Sequence, residues 1–420
     1  MIMKLGSRTI PRVLSTTVLS LLVMASTLAG RQAAQSQAPS SQTQKGSQAA
    51  ATPGGQTRPV GQAVAGDKQP LAGEFFKNVQ VLRNIPVDEF MGTMGFISAS
   101  LSLNCLDCHV NESASDFSKY AEDTPIKVMA RQMILMVNTM NKENFRGERK
   151  LTCYTCHRSD VSPKSVPSLA EQYGTPPPPD PNDIEIIGPP DPAALSVDQI
   201  LDKYIAALGG ARKLASISSF VAKGSYAGYD TDFGKFPAEI YAKAPNQRTT
   251  VVHPPGGDNS TAYDGTSGWI AATNTQLPIA ALNGGELDGV RLDAFLSFPA
   301  GIKQYLTRWR AGFPPTEVDD QAVQVVEGFA QGGSRVKLFF AKDSGLLIRQ
   351  VRFGNTALGF NPTEIDYSDY RDVAGVKMPF HYTETWTDGR SEFELTDVQP
   401  NVPIDAAKFG KPAPPAHINP

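Results

Sequence analysis

Two pentapeptides concentrate the reactive side chains of this 420-residue chain: Cys105-Leu106-Asp107-Cys108-His109 and Cys153-Tyr154-Thr155-Cys156-His157. They hold all four of its cysteines. Two intervening residues put both sulfurs of a pair on one helical turn, and the next residue projects an imidazole beside them. That pattern suits a c-type haem, with thioether bonds from the sulfurs to two vinyl groups and the imidazole on the iron. Zinc is a competing use of CxxC pairs. A thioredoxin-like dithiol is another, but it needs a βαβ surrounding that is missing around these residues. Histidine after the second cysteine in both copies favours haem over either. The expectation is therefore two covalently bound haem c groups, attached through Cys105, Cys108, Cys153 and Cys156, with His109 and His157 as iron ligands.

The second axial position needs another donor. Of the five histidines, His253, His381 and His417 all lie far along the chain, so methionine is the expected partner. Before the first motif, Pro86-Val87-Asp88-Glu89 opens a helix with Phe90, Met94, Ile97 and Leu101 on one stripe. A tight turn at Ser102-Leu103-Asn104 would return the chain so that Met94 lies over the first haem. Before the second motif, Thr124-Pro125 starts a longer helix with proline at the favoured first position. Met129, Met133, Met136 and Met140 share one face of it. One of them is expected to ligate iron, and the rest to pack as adaptable apolar filling. A thioether raises the reduction potential relative to a second imidazole and leaves no site for oxygen or peroxide. That favours an electron carrier over a two-haem peroxidase.

The rest of the chain frames these helices. Lys4, Arg8 and Arg12 precede an apolar run through Val18–Met24, and small residues follow at Ala29 and Gly30. Residues 1–30 thus read as an export signal to the periplasm. The competing reading is an uncleaved membrane anchor, since eighteen uncharged residues separate Arg12 from Arg31. Residues 31–70 have few large apolar side chains and read as a disordered linker. The helical dihaem module is assigned to 71–165, where 11 Lys/Arg balance 11 Asp/Glu. The net charge of −3, without a basic block, points away from nucleic acid. A proline-rich stretch over 166–195 reads as an extended spacer.

From 196 to 412 the pattern is α+β with an antiparallel sheet. Ser196 and Gln199 form a capping box ahead of an amphipathic helix that ends at Gly209-Gly210. Residues 336–351 and 365–386 each read as a hairpin, and a helix is expected around Leu292–Trp309. His253 and His381 read as structural, and Trp269, Trp309 and Trp386 as core or cavity lining.

Around the two motifs the chain resembles the cytochrome c subunit of the photosynthetic reaction centre, specifically one two-haem half of it. The likeness rests on Leu101–His109 with Met94 upstream, on Ala130–Met136 followed by Asn141, and on Leu151-Thr152-Cys153-Tyr154-Thr155-Cys156-His157-Arg158. It covers residues 74–165, under a quarter of the chain. The resemblance implies Met94 as the ligand of the first haem and Met133, following Arg131-Gln132, for the second, with Met136 as the substitute. It also implies haems close enough for rapid exchange. The chain departs from that family in carrying two motifs rather than four, in having no lipid-attachment cysteine, and in its long β-rich extension. That extension resembles a LolA-type carrier fold, a curved antiparallel sheet with helices on its concave side. Ala262-Tyr263-Asp264-Gly265, Gly268-Trp269-Ile270, Val402-Pro403-Ile404-Asp405 and Phe409 carry this likeness.

The leading expectation is a periplasmic dihaem protein that passes single electrons between redox partner proteins. The alternative is a haem-bearing binding protein whose sheet holds a lipid or other hydrophobic ligand.

Overall fold

The structure is a computed structural model that describes residues 69–175, 180–183, 189, 191–273, 275 and 277–415. The expected signal, nearly all of the linker after it, part of the proline-rich stretch and His417 lie outside the described residues. All described residues belong to one compact unit. Among them, no helix is long and apolar enough to cross a membrane.

The first part is helical: α1 (Ala72–Phe75), α2 (Val87–Leu101), α3 (Cys105–Cys108), α4 (Pro125–Asn144), α5 (Cys153–His157) and α6 (Leu169–Tyr173). Local chemistry sets the ends of the long ones. Asp88 and Glu89 sit in the first turn of α2, where the helix dipole favours anions. Ser102, in the left-handed region at φ 56°, ends it. In α4 the Thr124 hydroxyl accepts from the Lys127 amide (3.2 Å), and Pro125 fills the first helical position.

The second part is a large antiparallel sheet with three helices. Ser196 caps α7 (Val197–Ala207) through the expected box with Gln199, and α8 (Ala211–Ser216) follows. The strands are β1 (Ser219–Gly228), β2 (Phe236–Lys243), β3 (Gln247–Val252), β4 (Asn259–Tyr263), β5 (Gly268–Ala271) and β6 (Ile279–Ala281). After α9 (Gly284–Leu296) come β7 (Thr307–Arg310), β8 (Thr316–Val318), β9 (Gln321–Phe329), β10 (Arg335–Ala341) and β11 (Leu347–Asn355). The last three are β12 (Phe360–Val373), β13 (Val376–Trp386) and β14 (Gly389–Pro400). Their order is β6-β5-β4-β3-β2-β1-β14-β13-β12-β11-β10-β9-β7, with β8 beside β9. Both expected hairpins are present, as β10–β11 and β12–β13.

The two-residue period of β10 separates two cores. Leu338 and Phe340 join the main core with Leu201, Tyr204, Ile240 and Leu292 from the helices and neighbouring strands. Phe339 packs in a second cluster on the opposite face with Val351, Phe353 and Phe313. Described residues of the proline-rich stretch lie against the sheet. Lys337 donates to the Asp183 carbonyl, Asn182 donates to Glu364, and Asp191 pairs with Lys342 at 2.7 Å.

The helix expected around Leu292–Trp309 differs in extent. It begins at Gly284 and ends at Leu296, then gives way to a 3₁₀ turn at Pro299–Gln304 and a strand that contains Trp309. Gly284 and Gly285, weak helix formers, hide its start. Pro299, which has no amide hydrogen, follows its end.

Helix α2 joins the two parts. Its Gly92 carbonyl accepts from Asn361 Nδ2 (2.8 Å) on β12. A Cβ on Gly95 would approach the Asp388 and Thr387 side chains, in the turn between β13 and β14, to 3.1 Å, so glycine gives the easiest fit there. Asp88 accepts from the Asn283 amide (2.9 Å) ahead of α9. Phe96 packs with Ile134 of α4 and with Leu358, which is 1% exposed, in the loop before β12. Truncating Leu358 to alanine would leave a cavity in this seam. The expected loss is about 2–4 kcal/mol of unfolding free energy, read by denaturant titration with circular dichroism. An unchanged midpoint would show that the seam does not hold the parts together.

Candidate functional site

Each motif is positioned by a helix, a turn and a cap. After α2, Ser102 and Leu103 turn the chain, with the Leu103 amide donating to the Ser98 carbonyl (3.1 Å). Asn104 caps α3 by accepting from the Leu106 and Asp107 amides (2.9 and 3.2 Å), and Asp107 accepts from the Asn104 amide in return (2.8 Å). Thr152 and Thr155 make the same reciprocal box on α5, at 3.3 and 3.0 Å. Two thiols therefore sit on one rigid turn in each copy. None of the four cysteines is in a disulfide.

The two imidazoles are held in the same way. His109 Nδ1 donates to the Tyr120 carbonyl (3.2 Å), and His157 Nδ1 donates to the Asp160 carbonyl (3.0 Å). Carbonyls only accept, so the proton is on Nδ1 and the Nε2 lone pair is available, the orientation metal-bound histidines adopt. Arg158 and Ser159, both left-handed at φ 51° and 60°, swing the chain back so that the Asp160 carbonyl reaches its ring. Tyr120 also stacks edge-on against His109, with centroids 4.7 Å apart. Burial, and then the charge of Lys127, hold His109 below the usual imidazole range, keeping it in the neutral form a metal requires.

The motifs are cross-braced by the two long helices. At one end of α4 the Thr124 hydroxyl donates to the Cys108 carbonyl (2.6 Å). At its other end Asn141 donates to the Leu151 carbonyl (2.7 Å) and accepts from the Leu151 amide (2.9 Å), two residues before Cys153. Helix α2, which leads into the first motif, packs on the second: the Ser100 carbonyl accepts from the Ser159 amide (3.0 Å), and Ile97 and Cys153 border the Phe96 cluster.

Met94 is half-buried on α2, directly ahead of the first motif, and Met133 is half-buried on α4, ahead of the second. Met136 and Met129 are more exposed, at 43% and 54%. Exposed apolar side chains also flank the motifs, among them Leu106, Phe117, Leu135 and Tyr154. Paired thiols, an imidazole with Nε2 free, and nearby thioethers and apolar surface fit a thioether-linked haem. Among the described residues no three Cys, His, Asp or Glu side chains converge as a metal cluster, so the two CxxC pairs do not assemble a zinc site.

The sheet and its helices line an open cavity of about 650 Å³. Its wall is largely apolar, with Leu214, Phe220, Ile240 and Val252 among its residues, and α2 contributes Asp88, Met91 and Gly92. Trp386 lines it, Trp269 is buried, and Trp309 donates to the Lys303 carbonyl (3.3 Å). Sequence reasoning missed the ionisable groups inside, Arg248, Asp293, Arg352 and Glu384, because single charged residues scattered over four elements carry no local pattern. His253 and His381 lie elsewhere: His253 bonds Asp258 (2.7 Å), and His381 bonds Ser368 and Glu392 (2.8 and 2.6 Å).

The helical part has the paired helix-and-CxxCH organisation of a c-type cytochrome. In particular, residues 28–176 match the family described as the photosynthetic reaction centre cytochrome C subunit. The subunit from Rubrivivax gelatinosus is 35% identical over 115 residues, spanning 26% of this chain and 30% of that protein. The one from Thermochromatium tepidum is 37% identical over 113 residues, 26% of each. The chain thus spans under a third of the length of these relatives. The sheet part resembles LolA-like structures. A putative outer membrane lipoprotein-sorting protein domain from Vibrio parahaemolyticus aligns with 51% of this chain and 95% of its own, at 11% identity and TM-score 0.36. A LolA superfamily protein from Nitrosomonas europaea aligns with 52% and 99%, at 12% identity and TM-score 0.34.

Within the cavity, burial and the neighbouring Asp293 push Glu384 up to about 7, with Arg352 opposing. Its folded value lies above the ordinary 4.5, so the fold holds an extra proton between these pH values. That stabilisation is complete below about pH 4.5 and is lost as pH rises through 7. Glu384→Gln, which mimics the protonated form, should gain on wild type by about 1–3 kcal/mol between pH 4.5 and 7.5. Melting temperatures of both proteins across that range check this, and parallel curves would refute it.

Proposed function

We propose that this chain is an exported dihaem c-type cytochrome that carries single electrons between redox partner proteins in the periplasm. When bound, the two haems would supply one-electron iron chemistry, and the residues of the chain determine how that chemistry is used. Cys105 and Cys108 would anchor one haem, and Cys153 and Cys156 the other. His109 and His157 would ligate the irons through Nε2. Met94 is assigned to the other face of the first haem and Met133 to that of the second, with Met136 as the substitute.

The observation that carries this reading is the matched hydrogen bond from each motif imidazole to a backbone carbonyl. It fixes the tautomer and ring orientation in both copies, which a core histidine would not need. The half-buried methionines support closed centres, in which the thioether excludes small ligands and little rearranges as charge passes. Cross-bracing by α2 and α4 holds the two motifs in one rigid frame, as exchange between the haems requires. The balanced charge around the motifs suits a partner met without strong electrostatic steering.

Mass spectrometry of the intact protein should show two haem additions, and Cys153→Ala with Cys156→Ala should remove one. Carbon monoxide should leave the spectrum of the reduced protein unchanged. Met94→Ala and Met133→Ala should each lower the potential of one haem and open that haem alone, about half the absorbance, to carbon monoxide. An unchanged spectrum in the Met133 variant reassigns that ligand to Met136. Carbon monoxide binding by the unsubstituted protein would overturn the closed-carrier reading.

A further inference from the structure

The polar groups of the sheet cavity converge on one region of an otherwise apolar wall. Arg248 comes from β3, Asp293 from α9, Arg352 from β11, and Tyr382 with Glu384 from β13. Most of these groups already have partners within the protein. Arg248 donates to Ser297 Oγ (2.9 Å), Arg352 Nη2 donates to Thr363 Oγ1 (3.1 Å), and Asp293 accepts from Gln350 Nε2 (3.1 Å). The Tyr382 hydroxyl, in a residue only 8% exposed, has no acceptor for its proton, and the nearby Arg248 guanidinium can only donate to its oxygen. The Glu384 carboxyl makes no hydrogen bond among the described residues, and only burial and the surrounding charges, Asp293 first, act on it. Two residues apart on one strand, these side chains share the face that looks into the cavity. One is a free donor, and above about pH 7 the other is an ionised, free acceptor.

A single group satisfies both. A hydroxyl accepts from Tyr382 and donates to Glu384 at once, whereas an ether or ketone can only accept. A carboxylate or phosphate head would meet Glu384 and Asp293, and a cationic head would meet Arg248 and Arg352. A volume of about 650 Å³ suits a small-molecule ligand with an extended apolar body. The geometry points to this cavity as a binding site for a neutral apolar molecule that carries a hydroxyl group, held between Tyr382 and Glu384. Met91 and Gly92 of α2 line the same cavity, so the occupant lies against the helix that leads into the first motif. Aromatic alcohols with an alkyl tail and alicyclic, sterol-like alcohols share this chemistry.

Calorimetric titration of the full-length, haem-loaded protein at about pH 8.5, where Glu384 is ionised, tests the assignment. The probes are para-decylphenol, its methyl ether para-decylanisole, dehydroergosterol and palmitate. At least one alcohol should bind, and whichever binds tighter identifies the source as aromatic or alicyclic. For the phenol, methylation should weaken binding about tenfold or more, the loss expected for one charge-assisted hydrogen bond. Glu384→Gln should weaken the tighter alcohol similarly, and Thr250→Trp, which fills the cavity, should abolish binding. Para-decylanisole binding as tightly as para-decylphenol, palmitate binding tighter than both alcohols, or no binding by either alcohol would overturn it. The ether comparison in the unsubstituted protein keeps the test decisive where a variant fails to fold.

Discussion

Helix α2 makes three sets of contacts at once, and their geometry constrains everything around it. One side packs with Phe96 on Ile134 and Leu358, locking the two long helices to the sheet. Carbonyls at its C-terminal end receive the Ser159 side chain and amide behind the second motif. A third surface, with Met91 and Gly92, walls the cavity. Fifteen residues are long enough for these roles because a helix presents a new face every hundred degrees. Small residues make the roles compatible, since Gly92 and Gly95 face the sheet where a Cβ would already be in tight contact.

The features most legible in the sequence are those written over short distances. The CxxCH motifs, the capping box of Ser196 and Gln199, the proline start of α4 and the turn-separated hairpins all depend on neighbours within a few residues, and each has a clear local signature. The start of α9 was hidden because Gly284-Gly285 is unfavourable in isolation; packing against β11 decides it. The Tyr120 carbonyl was hidden as well, because any residue type supplies the same atom and only the fold brings it to His109. The proline-rich stretch reads as a spacer by composition, yet Asn182 and Asp183 find partners on strands, and Asp191 on the turn after β10, more than a hundred residues away.

The cavity shows the same limit from the other direction. Between Thr383 and Thr385 in β13, Glu384 carries no signal of its own in the sequence. Whether such a residue points outward to water or inward depends on the register of β12 and β14, which no local pattern fixes. Inward, it is half-buried in the cavity wall, where burial disfavours its charged form. A core built for stability alone would replace it with an apolar side chain. Its retention beside Tyr382, whose hydroxyl proton has no acceptor, is what separates this chamber from ordinary loose packing.

The contacts that seat the helical part join residues very far apart in the chain. Asn361 reaches Gly92 across 269 positions, and Arg149 reaches Gly359 across 210. During synthesis the motif-bearing helices emerge first, while most of the surface that receives them has yet to be made. Closing such long loops is slow, and it follows local events such as helix capping. The cysteine turns, complete within their own few residues, can therefore form well before α2 is seated. Folding of the motif turns and assembly of the whole chain become separable in time, with the first setting the surface on which the second closes.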